Sequence, residues 1–179
     1  VNRHEELEAL FVRHGYTEFR WVQPGNIATG LWVRLKCMFG CPGYARNAAC
    51  PPNVPGVAEC RQFFDEYTLA AIFRFEKTLA DPEERNAWSR EVNEALLKLE
   101  RDVFLLDYPK AFLLFMDSCG ICAECAGQRV ECLDPASARP TPEAMAVDVF
   151  TTVRRCGFPI AVVQDYDKPM NRYAILLID

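Results

Sequence analysis

Apolar side chains recur along this chain with changing period, and each change marks an element. From His4 to His14 they fall at Leu7, Leu10 and Phe11, a helical spacing that predicts a short amphipathic helix ending near Gly15. The run EYTLAAIFRF, Glu66 to Phe75, is β-branched and aromatic and bounded by charge, so it predicts a buried strand. Asp81 then stands as N-cap, with Pro82 at the first helical position and Glu84 at the third. Trp88, Val92, Ala95, Leu96, Leu99, Val103 and Leu106 hold a 3.6-residue period as far as Pro109, which predicts a long helix over 82–107. KAFLLFM, residues 110–116, predicts a second strand. A helix from Pro142 to Gly157 is expected to bury Met145, Val149 and Val153, and two strands around a turn at Asp167 to Asn171 are expected to close the chain.

A crossover between the first two of these strands sets them parallel and right-handed. The expected fold is therefore α/β (α+β), one compact domain over residues 1–179. It has a mixed sheet with helices packed on it and two cysteine-rich loops. The section between Gly25 and Gly56 is loop-rich, with many Gly and Pro, and from Gly40 to Gly56 it has no periodic apolar face. Such a segment packs poorly unless something cross-links it.

Half of the 179 residues are hydrophobic, enough for a chain of this size to bury about 70% of its unfolded surface. The net charge of -5 comes with no basic stripe, which argues against a nucleic-acid partner. The stretch VNRHEELEAL is charged, and the longest apolar runs, AFLLFM and YAILLI, have six residues each. Neither a signal peptide nor a membrane span is predicted. Nine cysteines are an odd number for a disulfide framework, so thiolates committed to metal in a reducing cytoplasm are the expectation.

Those cysteines fall into two groups. Cys119, Cys122, Cys125 and Cys132 follow C-x2-C-x2-C-x6-C. Three cysteines at successive spacings of three let one loop wrap a face of a 4Fe-4S cubane, each thiolate capping a different iron. Zinc and disulfides are the alternatives, but zinc sites usually pair two distant C-x2-C units. Cys37, Cys41 and Cys50 follow C-x3-C-x8-C inside the Gly/Pro-rich section, where metal would supply the missing cross-link. Three cysteines leave a cubane one ligand short. Cys60 is a possible fourth, although its place beside Phe63 and Phe64 on a helical stretch suggests packing.

The combination of KCxxxCPGY and CPP with a later CxxCxxC, a fourth cysteine and RPxPEAMxVDV resembles the predicted metal-binding proteins of domain of unknown function family 2284. The resemblance runs from about Val33 to the C-terminus. It implies seven metal-ligand-like cysteines, Cys37, Cys41, Cys50, Cys119, Cys122, Cys125 and Cys132, and leaves Cys60 and Cys156 outside the pattern. Cys132 is followed by Leu133, Asp134 and Pro135 where the family more usually has arginine and proline, while Arg139 and Pro140 match.

His4 and His14 are read as solvated or capping residues, Asp148 as a helix residue in a salt bridge, and Asp165, Asp167 and Lys168 as a polar turn. Tyr44 and Arg46, between ligands of the first group, are the better candidates to touch a substrate or tune a cluster. With no phosphate loop, dinucleotide fingerprint or nucleophile triad in the sequence, any chemistry has to come from the metal. The expected function is a protein carrying one or two 4Fe-4S clusters in electron transfer, or an accessory subunit of a redox enzyme, in an oxygen-sensitive, anaerobic metabolism. Its partner would be a redox protein or host complex. Two alternatives stand beside it: an enzyme using an open iron as Lewis acid, and a zinc-stabilised interaction module.

Overall fold

A computed structural model describes residues 3–179. Its elements in chain order are α1 (Arg3–Arg13), β1 (Phe19–Val22), α2 (Leu31–Gly40), α3 (Val57–Asp65), β2 (Ala70–Lys77), α4 (Pro82–Leu105), β3 (Phe112–Leu114), α5 (Val149–Arg155) and β4 (Met170–Leu177). The four strands form one sheet in the order β1-β2-β4-β3.

Every ladder in that sheet is antiparallel, so the expected mixed sheet is corrected while the α+β class holds. The reason lies in β4. Strands β2 and β3 do run in the same direction, but β4 inserts between them and pairs with both, placing Ile175 opposite Ile72 on one side and Leu114 on the other.

Strand side chains alternate between faces, and both faces here are covered. Ala71, Phe73, Leu113, Phe115, Ala174 and Leu176 point into a core closed by Leu7, Leu10 and Phe11 of α1 and Leu96, Leu99 and Val103 of α4. Ala70, Ile72, Leu114, Ile175 and Leu177 face the other way, onto Cys60 and Phe64 of α3 and Val149 and Val153 of α5. Two-sided burial explains why β2 and β4 read as nearly continuous apolar runs. Among the described residues no helix is long and apolar enough to cross a membrane.

Helix α4 begins as its sequence predicts. The Asp81 carboxylate accepts from the Glu83 and Glu84 backbone N–H groups at 2.7 and 3.0 Å, satisfying two donors that a helix start leaves unpaired. His14 reaches across from the end of α1 to Asp102 of α4, 2.9 Å away.

Three other expectations are corrected. The helix expected from Pro142 starts only at Val149, because Asp148 caps it by accepting from Thr151 N–H at 3.0 Å. Ala146 lies in the left-handed region at φ 61, and Val147 bridges to Thr29. Asp148 is thus an N-cap rather than a residue inside a helix. Of the two closing strands only β4 forms, and residues 159–169 run without regular structure up to it. Finally, the section expected to be loop-rich contains helix α2, of whose residues only Val33 is buried.

Candidate metal centre

Helix α2 carries Cys37 in its last turn and ends at Cys41, whose N–H bonds back to the Cys37 carbonyl at 3.2 Å. From there the chain turns repeatedly to Cys50. Ala45 sits in the left-handed region at φ 57, and its N–H reaches the Pro51 carbonyl at 2.9 Å. This folds the segment back so that Cys37, Cys41 and Cys50 line one cavity of about 230 Å³. Tyr44, Asp117, Thr141, Glu143 and Arg172 complete its polar wall.

The second group leaves β3 on a different support. Asp117, just beyond the strand, accepts from Ser89 Oγ at 3.1 Å, and its carbonyl accepts from Asn93 Nδ2 at 3.4 Å. Ser89 and Asn93 are buried on α4. At the far end of the loop Arg139 donates twice to Glu100 of α4, at 3.0 and 2.8 Å. Glu100 also accepts from Leu113 N–H at 2.7 Å. One helix therefore fixes both ends of the segment, and a buried carboxylate so fully used favours a single geometry. Between those ends Cys119, Cys122, Cys125 and Cys132 line a narrow cleft of about 20 Å³ whose opposite wall includes Asn47, Ala48 and Ala49 of the first group.

The two groups are stitched together by residues that sequence reading passed over. Ala48 N–H points at Cys125 Sγ at 3.2 Å, and Asn47 Nδ2 donates to the Cys119 carbonyl at 2.9 Å. Asn53 Nδ2 donates to the carbonyls of Gly127 and Asn47 at 2.8 and 3.1 Å, and its Oδ1 accepts from Arg129 N–H. Gly127, at φ +82 beside the Arg46 backbone, takes a turn that an L side chain rarely adopts. Asn47 and Asn53 carry no sequence signal of their own, since their partners lie some seventy residues away.

Burial first, and then the neighbouring thiols of Cys41, Cys37, Cys119 and Cys125, push Cys50 up to about 12. Burial also raises Cys37 and Cys119. Cys50 lines the first cavity and lies near enough to Cys119 and Cys125 of the second group for charge there to act on it. Glu143 is raised too, through burial, with Thr141 and Arg172 opposing, although its side chain still reaches open solvent.

Cys60 is 0% exposed in the core beneath the sheet. Its thiol lies 3.4 Å from the Pro55 carbonyl, and it lines neither cysteine cavity. Tyr44 does line the first cavity, whereas Arg46 is exposed and lines neither. Beyond the first cavity a wide apolar groove of about 1040 Å³ runs along α2, walled by Trp32, Phe39, Phe150 and Val162. It shares Cys37, Cys41 and Glu143 with the cavity.

Among the described residues no three His, Cys, Asp or Glu side chains converge on a point where a single metal ion would sit; the thiols instead surround the two spaces. Seven cysteines around two adjoining cavities nonetheless form a thiolate donor set suited to soft metal centres. The model of the family described as predicted metal-binding protein (DUF2284) matches residues 20–178, and the chain belongs to that family. No curated protein and no solved structure matches it.

Proposed function

We propose that this protein carries two 4Fe-4S clusters and passes single electrons to a redox partner. One cluster would be held by Cys119, Cys122, Cys125 and Cys132, the other by Cys37, Cys41 and Cys50. The observation that carries this reading is the adjacency of the two cysteine groups: Ala48 N–H from one meets a sulfur of the other, and Asn47 Nδ2 donates to the Cys119 carbonyl. Centres this close suit a relay. Bound there, the clusters would supply reversible one-electron storage at thiolate-ligated iron.

The chain's own contribution is to fix the ligands and tune their charge. N–H donors to sulfur stabilise the more negative state and so raise a cluster's potential; Ala48 N–H on Cys125 is placed for that. Room differs between the sites. The first cavity has space for a cubane, while the second cleft holds little more than one water-sized sphere. Seating a cluster in it requires the surrounding loop to spread, and Cys125 and much of residues 123–131 lie exposed at the surface. The setting proposed is a reducing cytoplasm in an oxygen-sensitive metabolism.

A second reading, an enzyme that uses an open metal position at the three-cysteine site, is favoured by one observation: the apolar groove meets that cavity at Cys37, Cys41 and Glu143. A zinc-stabilised interaction module is the reading favoured by the narrowness of the second cleft. Anaerobic purification with iron, sulfide and zinc determination and a visible spectrum separates them. Stoichiometric sulfide with broad absorption near ~400 nm is expected. Stoichiometric zinc without sulfide would sink the iron-sulfur reading.

A further inference from the structure

We infer that the Glu143 carboxylate is the fourth, non-cysteine ligand of the three-cysteine site, an inference that rests on the iron-sulfur reading above. Cys37, Cys41 and Cys50 leave one corner of a cubane without thiolate. Cys60 does not supply it, since its thiol is sealed in the core on the Pro55 carbonyl and within 3.9 Å of Arg34. The fourth donor has to come from the wall of the same cavity, where the carboxylates are Asp117 and Glu143 and the phenol is Tyr44.

Asp117 is already committed. Its two oxygens accept from Ser89 Oγ at 3.1 Å and Ser118 N–H at 2.8 Å, and Arg172 Nε lies 3.6 Å away. Those contacts hold the start of the second loop, so swinging Asp117 toward the first site would release the second. Tyr44 brings a phenol in place of a carboxylate and belongs to the same 41–50 segment as the thiols, so it adds no anchor from outside that segment.

Glu143 is held only locally: its carboxylate is met by its own backbone N–H and by Thr141, contacts that mount neither cysteine loop. Its backbone is locked by a tight turn in which Met145 N–H meets the Thr141 carbonyl at 3.1 Å and Ala146 N–H meets the Glu143 carbonyl at 3.0 Å. Arg34 clamps the next residue by donating to the Ala144 carbonyl at 3.0 Å. The carboxylate is near enough to Cys37 for their charges to interact. Arg172 in the same wall offsets the added negative charge. Glu143 lines the groove together with Cys37 and Cys41, so the position it fills borders the groove.

The test is Mössbauer spectroscopy of the full chain loaded anaerobically with iron-57, with sulfide and zinc measured on the same samples. Wild type is expected to show a distinct sub-spectrum from one iron bearing an oxygen ligand. In Glu143→Cys that sub-spectrum is expected to merge with the thiolate-ligated irons. Glu143→Gln and Glu143→Ala are expected to lose that one iron to a chelator while the four-cysteine cluster stays intact, and the intact cluster reports that the variants fold. Tyr44→Phe and Asp117→Asn are expected to leave the sub-spectrum in place. Its persistence in the Glu143 variants, or its loss in Tyr44→Phe or Asp117→Asn, overturns the assignment while leaving the iron-sulfur reading standing. Wild-type protein with zinc and no sulfide overturns that reading, and this assignment with it.

Discussion

Cys37, Cys41 and Cys50 place three thiols around about 230 Å³, whereas Cys119, Cys122, Cys125 and Cys132 close four around about 20 Å³. For the proposed clusters, the first group has room and one thiolate too few, whereas the second has four thiolates and little room. Their supports differ in the same sense. The second loop is pinned at both ends to α4 through buried Ser89, Asn93 and Glu100. The first hangs between α2, with only Val33 buried, and turns around Ala45. A loop anchored at both ends with a full thiolate set suits a centre that only has to hold charge. A looser one beside an apolar groove suits a centre that has to exchange something.

Ligand removal should break this comparison most sharply. Cys119→Ser is expected to abolish the second centre completely, seen as loss of about half the bound iron under anaerobic loading. Cys37→Ser is expected to abolish the first and leave the second spectrum unchanged. Loss of all iron in both variants would show one shared centre in place of two.

Next in size is the mounting of the second loop. Glu100→Ala leaves Arg139 and Leu113 N–H without their buried acceptor, and breaking such a pair costs about 3–5 kcal/mol. Urea unfolding of the metal-free protein reads this directly. A change under 1 kcal/mol would mean that Glu100 does not hold the loop.

A smaller effect belongs to the stitch between the groups. Asn53→Ala removes donors to Gly127 and Asn47 and an acceptor for Arg129. A cost of about 1–3 kcal/mol is expected for the unpaired groups, together with faster hydrogen exchange in both cysteine loops. Acceleration confined to residues 41–53 would show that the first loop leans on the second and not the reverse.

The smallest effect is in pH. Cys50 is raised above its ordinary 9.0 to about 12 by burial and neighbouring thiols, so the metal-free fold prefers the protonated thiol. That preference is fully present below about pH 9 and is lost as pH climbs toward 12, so the apo protein should weaken in that window. Metal has to displace those protons, hence uptake at the first site should strengthen from pH 6 to pH 8. Titration of apo protein with metal at several pH values, counting protons released, checks the sign.

Local signals explain what was legible. Asp81, Pro82 and the periodic face of α4 announce themselves within a few residues, and so do both cysteine spacings and the strand Ala70–Lys77. Strand β1 is only four residues, FRWV, and makes sense only against Phe73 and Ile72 of β2. Helix α2 escaped because its apolar residues, Leu31, Trp32, Leu35, Met38 and Phe39, are largely exposed and so follow no buried stripe. The placing of Glu143, Asp117 and Arg172 around the first three thiols, and the Asn47 and Asn53 bridges, are long-range contacts. No window of sequence contains both partners.

The position of β4 in the sheet also sets an order of events during synthesis. The strand that emerges last of the four occupies the space between β2 and β3, so β3 has no neighbour to pair with until residues 170–177 have left the ribosome. Both cysteine loops, and the helix that mounts one of them, are then already made and waiting with reduced, unligated thiols. Metal loading that needs the finished sheet would have to wait for that strand. Nascent chains stalled at Pro169 are expected to take up no iron, whereas chains stalled beyond Asp179 with a spacer are expected to load; equal loading of the two would remove β4 from the sequence of assembly.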